Sequence, residues 1–398
     1  MEPAPNVAFL VVAAGRGARL GAGVPKQYLP LGGRPMLART LSRLLRAAPA
    51  ARARVVIHPD DAPSYAAALG GLPDALRTRL DAPAHGGATR QSSVRAGLEA
   101  MARDGGAEIV LIHDAARCFV DAPLVARAVD AARAHGAAVP AVRLQDAVAR
   151  LQESGVGAFV DRESMRIVQT PQAFAFGAIL DAHRAAARAG RDDFADDGAV
   201  AAYAGLRVAP FEGDAGNVKV TTPADYEAAR ARLLAAGDVR TGQGYDVHAF
   251  GPGDHVWLGG VRIAHDRGLV GHSDADVALH ALCDALYGAL GDGDIGAHFP
   301  PTDARWRGAA SEVFLRHAAG RVAARGAAVT HVDVTIVCEA PKIGPRRDDI
   351  RAMIAATLGV AIDRVGVKAT TSEGLGFVGR REGVWASAIA TLRMPGEE

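Results

Sequence analysis

Val7-Ala8-Phe9-Leu10-Val11-Val12-Ala13-Ala14-Gly15-Arg16-Gly17-Ala18-Arg19-Leu20 runs a continuous apolar segment straight into a glycine-rich loop. A short, unbroken apolar run bounded by such a loop reads as a strand buried on both faces, as in a sheet covered by helices. Outward from it, helical and strand patterns alternate. Residues 35–47, 89–101 and 124–135 have helical spacing, and 54–57, 108–113 and 137–142 read as strands. Strands alternating with helices imply parallel pairing, and the expectation is a doubly wound, Rossmann-like α/β sheet. Ligands of such sheets bind outside the carboxyl ends of the strands, where the loop 14–26 and His113-Asp114 both fall.

The loop itself suits phosphate, because glycines let backbone N–H groups approach anionic oxygens closely. It is not a Walker A loop, since no Gly-Lys-Ser/Thr follows. It also misses the dinucleotide fingerprint, with Leu20 where a third glycine belongs. Taken alone it is as readily a tight strand-to-helix turn. Arg19 and Lys26 shift the balance, because two cations beside a phosphate cradle neutralise charge that builds at phosphorus under attack. Pro25 stiffens the chain just before Lys26.

The first half closes at Asn217-Val218-Lys219-Val220-Thr221-Thr222-Pro223-Ala224-Asp225. Thr222 has the placement of an N-cap, Pro223 of the first helical position and Asp225 of the capping-box acid. That helix runs to about 236, Gly237 is a stop, and a new strand starts at Val239. The expected division is 1–237 and 238–398. The second part mixes strands at 239–247, 255–263, 330–339, 364–369 and 383–392 with helices at 274–290, 310–325 and 346–358, a smaller α/β or α+β domain. Asp246 and His248 lie two apart on a strand and share a face, while His280 lies in a helix. One carboxylate and two imidazoles suit zinc with a fourth position open for substrate. Asp276 stands four residues before His280 and would share its face. It reads more readily as a capping-box acid answering Ser273 than as a fourth ligand.

Composition narrows the partners. A formal net charge of +1 gives no support for a nucleic-acid or membrane-surface role. No run reaches the roughly 18 apolar residues that span a bilayer. Three cysteines, Cys118, Cys283 and Cys338, form no CxxC pair, so a reducing cytoplasm is expected.

The first half resembles 2-C-methyl-D-erythritol 4-phosphate cytidylyltransferase. The resemblance spans most of 6–235 and runs through Ala13-Ala14-Gly15-x-Gly17-x-Arg19-Leu20, Pro25-Lys26-Gln27, Gly86-Gly87-x-x-Arg90-x-x-Ser93, His113-Asp114-Ala115-Ala116-Arg117, Val160-Asp161-Arg162, Gln169-Thr170-Pro171-Gln172 and Asn217-x-Lys219. It implies that Arg19 and Lys26 stabilise the transition state at the α-phosphorus of CTP. Gly15, Gly86 and Ser93 would hold the nucleotide. Asp114 and Arg117 would line the site, Asp114 near a magnesium ion or the polyol, and Arg162 and Lys219 would position methylerythritol phosphate. Three positions depart from the family pattern. Ala147 replaces a threonine and so lacks its hydroxyl, Cys118 replaces a proline, and the acidic helix start Asp196-Asp197-Gly198 is irregular.

The second half resembles 2-C-methyl-D-erythritol 2,4-cyclodiphosphate synthase over nearly all of 239–393. The carriers are Gly244-Tyr245-Asp246-Val247-His248, His272-Ser273-Asp274-x-Asp276-Val277-x-x-His280, Gly293-Asp294-Ile295-Gly296-x-x-Phe299, Ala340-Pro341-Lys342 and Lys368-Ala369-Thr370-Thr371-x-Glu373-x-Leu375-Gly376-Phe377-x-Gly379-Arg380. The resemblance implies a zinc (Zn2+) or manganese (Mn2+) ion on Asp246, His248 and His280, and magnesium (Mg2+) between the nucleotide phosphates, touched by Glu373. His272 and Thr371 would stabilise the transition state. Ser273 and Asp294 would hold the methylerythritol and its 2-phosphate. Residues 340–345, including Ala340 and Lys342, with Thr370, would form the cytosine pocket. Gly296, Phe299, Asp303, Phe377 and Arg380 are further substrate-contact candidates.

Together the two resemblances imply two non-consecutive steps toward isoprenoids, with a kinase acting between them and no kinase motif on this chain. They also imply dimeric cytidylyltransferase units and trimeric cyclase cores, which a homo-oligomeric hexamer would satisfy together, and an association with the kinase is open. Two rival readings share part of the evidence. Another sugar-phosphate nucleotidyltransferase fused to a metal phosphodiesterase leaves Asn217-x-Lys219 and the 368–380 motif unexplained. A CTP-sensing scaffold on an active cyclase rests on Ala147 alone.

Overall fold

The computed structural model describes residues 6–16, 23–153, 155–300 and 302–396, and divides into two compact units, Met1–Ala229 and Arg230–Glu398.

In the first unit β1 (Val7–Ala13) is central, and its side chains split between two cores. Phe9 and Val11 pack with Leu37, Leu41 and Leu44 of α1 (Met36–Ala47), and Leu10 with residues of the opposite face. Strands β2 (Arg52–Ile57) and β3 (Ala84–His85) extend the sheet on one side. Helix α2 (Arg90–Arg103) starts in a reciprocal capping box, Thr89 with Ser92. On the other side β4 (Ile109–Asp114) runs parallel to β1, with Val11 opposite His113. Helix α3 (Ala122–His135) ends on Gly136 in the left-handed conformation and leads into β5 (Ala137–Arg143).

Beyond β4 the sheet departs from the parallel expectation. The chain leaves β5 for a separate hairpin, β6 (Val148–Gln152) with β7 (Gly155–Val160), whose Leu151, Val156 and Phe159 are largely exposed. It returns through β8 (Arg166–Val168), antiparallel to β5, and then inserts β9 (Gln172–Ala175) antiparallel between β4 and β5. The result is an eight-stranded mixed sheet. Helices α4 (Phe176–Arg188) and α5 (Asp197–Tyr203) follow, and β10 (Ala209–Glu212) pairs parallel with β5. Helix α6 (Pro223–Ala235) opens on the expected capping box: Thr222 Oγ1 accepts from the Asp225 amide, and Asp225 Oδ2 accepts from the Thr222 amide.

In the second unit β11 (Val239–Gly251) alternates from Thr241 to Ala249, its even residues facing inward and its odd residues outward. The segment expected as one strand at 255–263 is a hairpin, β12 (His255–Leu258) and β13 (Val261–Ala264). The two-residue turn between them is Gly259-Gly260, both at positive φ, which side-chain-bearing residues adopt rarely. Strand β14 (Gly268–Leu269) pairs with the end of β11. Helix α7 (Val277–Leu290) is buried almost all round. It begins three residues later than the sequence pattern implied, because Ala275 sits at φ 58° and Asp276 is the N-cap. After the short α8 (Ile295–His298) and α9 (Glu312–Ala324) come β15 (Ala328–Val337), α10 (Arg347–Leu358), β16 (Val365–Thr370), the short α11 (Gly376–Gly379) and β17 (Gly383–Arg393). The sheet order is β14–β11–β17–β15–β16.

Two glycines set the spacing of this core. A Cβ on Gly242 or Gly244 would lie 2.1 Å or 1.9 Å from carbonyl oxygens of α7. Their absence lets the helix backbone rest directly on the strand, the close approach that only glycine permits. Among the described residues no helix is long and apolar enough to cross a membrane.

Candidate active sites

A cavity of about 600 Å³ opens at the carboxyl ends of β1, β2 and β4. Its wall includes Gly15, Lys26, Arg90, Ser93, Asp114 and Lys219. Gln27 braces the start of the loop by donating to the carbonyls of Ala13 (2.6 Å) and Gly15 (3.0 Å). Lys26 is held by the Val220 carbonyl at 2.8 Å. Gly86 touches the wall from behind: a Cβ there would lie 2.5 Å from Ala14 Cβ and 2.7 Å from Ser93 Oγ. Ser93 Oγ accepts from the Gly87 amide and donates to the Thr89 carbonyl. Arg19 lies outside the described residues.

Asp114 is the electrostatic centre. Its carboxylate meets Lys219 Nζ at 2.7 Å, Arg90 Nε at 3.2 Å and Arg117 Nε at 3.9 Å. Burial pushes its pKa up, but Arg90 and Lys219 outweigh that and hold it below the ordinary carboxylate range. It is therefore a fixed anion, unsuited to proton transfer at neutral pH. Behind it, His113 is fully buried, and burial lowers its pKa to about 4. The neutral ring donates from Nε2 to the Arg117 carbonyl (3.0 Å) and accepts at Nδ1 from Thr170 (3.1 Å). Thr170 Oγ1 in turn accepts from the Asp114 amide (3.1 Å).

The motif Gly86-Gly87-x-x-Arg90 does not by itself show what Arg90 does. The structure gives it a role: Nη2 lies 2.9 Å from Asp197 Oδ2, and Asp197 Oδ1 lies 3.2 Å from His183 Nε2. Asp197 and His183 are buried, so the acidic pair that read as a helix start also anchors an arginine of the cavity. Asp196 is the N-cap of α5, and its neighbour carries the ion pair. An arginine in a glycine-rich motif is a usable hint, but only the tertiary fold brings Asp197 to Arg90. Arg162 is not brought to this cavity. It sits beyond the exposed hairpin and donates to the Gln145 carbonyl at 2.8 Å.

In the second unit Asp246 Oδ2 lies 3.0 Å from His248 Nε2 and 2.9 Å from His280 Nδ1, and the two nitrogens are 3.3 Å apart. The three ligand atoms lie close enough together to share one metal ion. Both tautomers fit a metal. His248 donates from Nδ1 to the Val270 carbonyl (2.8 Å), which leaves Nε2 free to ligate. His280 donates from Nε2 to Ser311 Oγ (2.9 Å), and Ser311 donates to Asp274, which leaves Nδ1 free. Burial raises the Asp246 pKa, and the two imidazoles outweigh it, holding the group at about 2. Asp246, His248 and His280 thus form a group able to hold a metal ion.

Asp276 is not the capping-box partner of Ser273. It caps α7 itself, accepting from the amides of Ala278 and Leu279 and from those of Gly259 and Gly260. Four amides occupy its oxygens, which also excludes it as a ligand. Ser273 Oγ instead accepts from the Ala275 amide and lies 3.1 Å from His280 Nε2, close to the triad. His272 is exposed beside it. Asp294 caps α8, the helix that carries Gly296, and Phe299 packs on Trp306 and Phe314. Asp303 pairs with Arg305 at 2.6 Å.

A second group gathers at the ends of β15 and β16: Ala340, Lys342, Thr370, Thr371 and Glu373, with Phe377 and Arg380 on or beside α11. Thr371 Oγ1 donates to Glu373 Oε1 at 2.7 Å, and Arg380 pairs with Glu382 at 2.8 Å. No hydrogen bond or ion pair joins this group to the triad among the described residues.

Fold and sites define a two-domain α/β enzyme of phosphorus chemistry, a nucleotidyltransferase-type domain followed by a domain with a candidate metal triad. The family model of 2-C-methyl-D-erythritol 4-phosphate cytidylyltransferase matches residues 7–235, and that of the YgbB family matches 239–393. The chain is 56% identical to the bifunctional enzyme IspD/IspF of Rhodopseudomonas palustris strain TIE-1 and 56% to that of Nitrobacter winogradskyi, each over 99% of this chain and 98% of the other. The structure of the bifunctional IspDF from Campylobacter jejuni superposes with a TM-score of 0.51 at 28% identity, covering 98% of both chains. The chain belongs to the bifunctional IspD/IspF family of the methylerythritol phosphate pathway, a cytidylyltransferase joined to a cyclodiphosphate synthase.

Proposed function

We propose that residues 1–237 transfer CMP from CTP to 2-C-methyl-D-erythritol 4-phosphate. The acceptor phosphate oxygen bonds to the α-phosphorus of CTP as the bond to pyrophosphate breaks. The observation that carries this reading is the placement of Lys26, Lys219 and Arg90 around one cavity, with Asp114 fixing the last two. Two anions must meet there, and preset cations lower their repulsion without reorganising. Arg19 and Lys26 stabilise the α-phosphorus; Gly15, Gly86 and Ser93 hold the nucleotide; Asp114 and Arg117 line the site, and Lys219 with Arg162 positions the acceptor. Arg162 stands on an exposed arm, so its role requires a neighbouring copy.

Residues 238–398 cyclise the 2-phosphate of 4-diphosphocytidyl-2-C-methyl-D-erythritol. A 2-phosphate oxygen bonds to the β-phosphorus, and CMP leaves. Asp246, His248 and His280 would hold zinc or manganese, and Glu373 would face magnesium; such cations neutralise diphosphate charge when bound. His272 and Thr371 donate to the reacting oxygens. Ser273 and Asp294 hold the methylerythritol 2-phosphate, and Gly296, Phe299 and Asp303 line the same side. Ala340, Lys342 and Thr370 take the cytosine, and Phe377 and Arg380 flank the loop. No hydrogen bond or ion pair joins the triad to the nucleotide group among the described residues, and a site shared between copies would bring the two together. The outward face of β11 and β17, with exposed Tyr245, Val247 and Ile389, is a surface on which cyclase cores would trimerise. The hairpin β6–β7 would pair cytidylyltransferase units, and a hexamer satisfies both. We place the enzyme in the cytoplasm, with the intermediate-step kinase as a potential partner.

Phosphorus NMR of the purified chain with CTP, magnesium and methylerythritol phosphate tests the first step. Pyrophosphate and a new diphosphodiester are expected. Equal turnover of unrelated sugar phosphates would overturn the substrate assignment.

A further inference from the structure

Glu339 belongs to neither set of roles above, yet it joins them. It follows β15 and immediately precedes Ala340. Its Oε1 accepts from the Ser372 amide at 3.0 Å and from Ser372 Oγ at 3.1 Å, and the Gly374 amide lies 3.5 Å away. The Ser372 amide is the chief influence that holds this carboxylate below its usual pKa, so it is ionised at neutral pH.

The loop it grips needs a grip. Residues 371–375 lie outside both strand and helix, and Leu375 is 75% exposed. Glu373 sits at φ 54° with Gly374 at φ 78° after it. A residue with a side chain keeps the left-handed conformation only where its surroundings impose it. Two contacts from outside the loop add to its internal hydrogen bonds, Thr371 Oγ1 to Glu373 and Ser372 Oγ to the Leu375 carbonyl. On one side Gly379 is packed on Gly374 so closely that a Cβ would lie 2.0 Å from the Gly374 carbonyl carbon. On the other side stands the Glu339 carboxylate.

We propose that Glu339 is a positioning residue of the cyclase half, which sets the loop carrying Thr371 and Glu373 against the segment carrying Ala340 and Lys342. One side chain thereby fixes the distance between the wall that takes the base and the loop that meets the diphosphate. The inference rests on the assignment of those two segments to the cytidine diphosphate group of the substrate. Glu339 acts through hydrogen bonds to the loop, so an uncharged acceptor in its place serves nearly as well.

The test compares Glu339→Ala and Glu339→Gln in the full chain, by calorimetric titration with CDP and by hydrogen exchange of the 370–377 segment. Glu339→Ala is expected to weaken CDP binding about tenfold, the loss of roughly one hydrogen bond. It is also expected to speed exchange at Ser372 and Gly374 with the melting temperature unchanged. Glu339→Gln is expected to restore most of both, because its amide oxygen still accepts. Wild-type affinity and unchanged exchange in Glu339→Ala would overturn the proposal while leaving the site assignment intact. Failure of the unsubstituted chain to bind CDP would overturn the assignment and the proposal together.

Discussion

Asp114 faces Arg90, Lys219 and Arg117 at once, and this makes the cavity's electrostatics a matter of fixed geometry rather than of titration. The support extends inward to Asp197, which is 1% exposed. Asp197→Asn would leave the Arg90 guanidinium short of one buried counter-charge. It should cost about 3 kcal/mol of stability, seen by calorimetry, since breaking a buried pair strands the remaining ion. His113 gives a pH prediction. Its pKa is lowered from 6.5 to about 4 by burial, so between those values the unfolded chain binds the proton that the folded chain refuses. Its contribution is complete above pH 6.5 and is lost as the pH falls toward 4, by up to about 3 kcal/mol. Thermal melts from pH 7 to 4.5 should show a steeper acid loss for the unsubstituted chain than for His113→Gln. At this scale Lys26 is legible because charge beside a glycine loop is a local signal, Asp114 because it ends a strand of the sheet, and Lys219 only through the family resemblance. The sequence assigned nothing to Arg90 and Asp197, because their partnership spans α2 and α5.

Periodicity carried the long elements. Helices α1, α2 and α3 and strands β1, β4 and β5 lie within a few residues of their sequence readings, because each presents a continuous or alternating apolar pattern to a core. Short-range exceptions escaped it. The Gly259-Gly260 turn splits an apparent single strand, and Ala275 in the left-handed region delays α7. Strand β9 has four residues, too few for alternation to show, and its antiparallel insertion depends on a chain path that no local pattern encodes. The packing of α7 on β11 yields a sharper expectation. Gly244→Ala would place a methyl 1.9 Å from the Ala281 carbonyl oxygen, and neither backbone can yield cheaply. Helix and strand must separate, which should cost about 3 kcal/mol or more. Because His280 precedes Ala281, zinc affinity measured by competition with a chelating dye should fall with it. An unaltered melting temperature and affinity would show that the close approach is not required.

At the scale of the whole molecule, the two candidate sites occupy separate compact units. Arg162 on its arm stands away from the cavity it is proposed to serve. Mixing Lys26→Ala with Arg162→Ala chains under subunit exchange should therefore regenerate cytidylyltransferase activity that neither has alone. Random pairing leaves one intact site in each mixed dimer, about a quarter of the original sites. A mixture no more active than its components would contradict a site shared between copies. The central claim is that one chain performs two separable reactions at phosphorus. It is tested most directly by measuring pyrophosphate release and CMP release, each with its own substrate, on the unsubstituted chain, Lys26→Ala and His280→Ala. The account predicts that Lys26→Ala loses about 100-fold or more of the first activity and keeps the second, while His280→Ala does the reverse. Loss of both activities together in either folded variant, or absence of either from the unsubstituted chain, would contradict it.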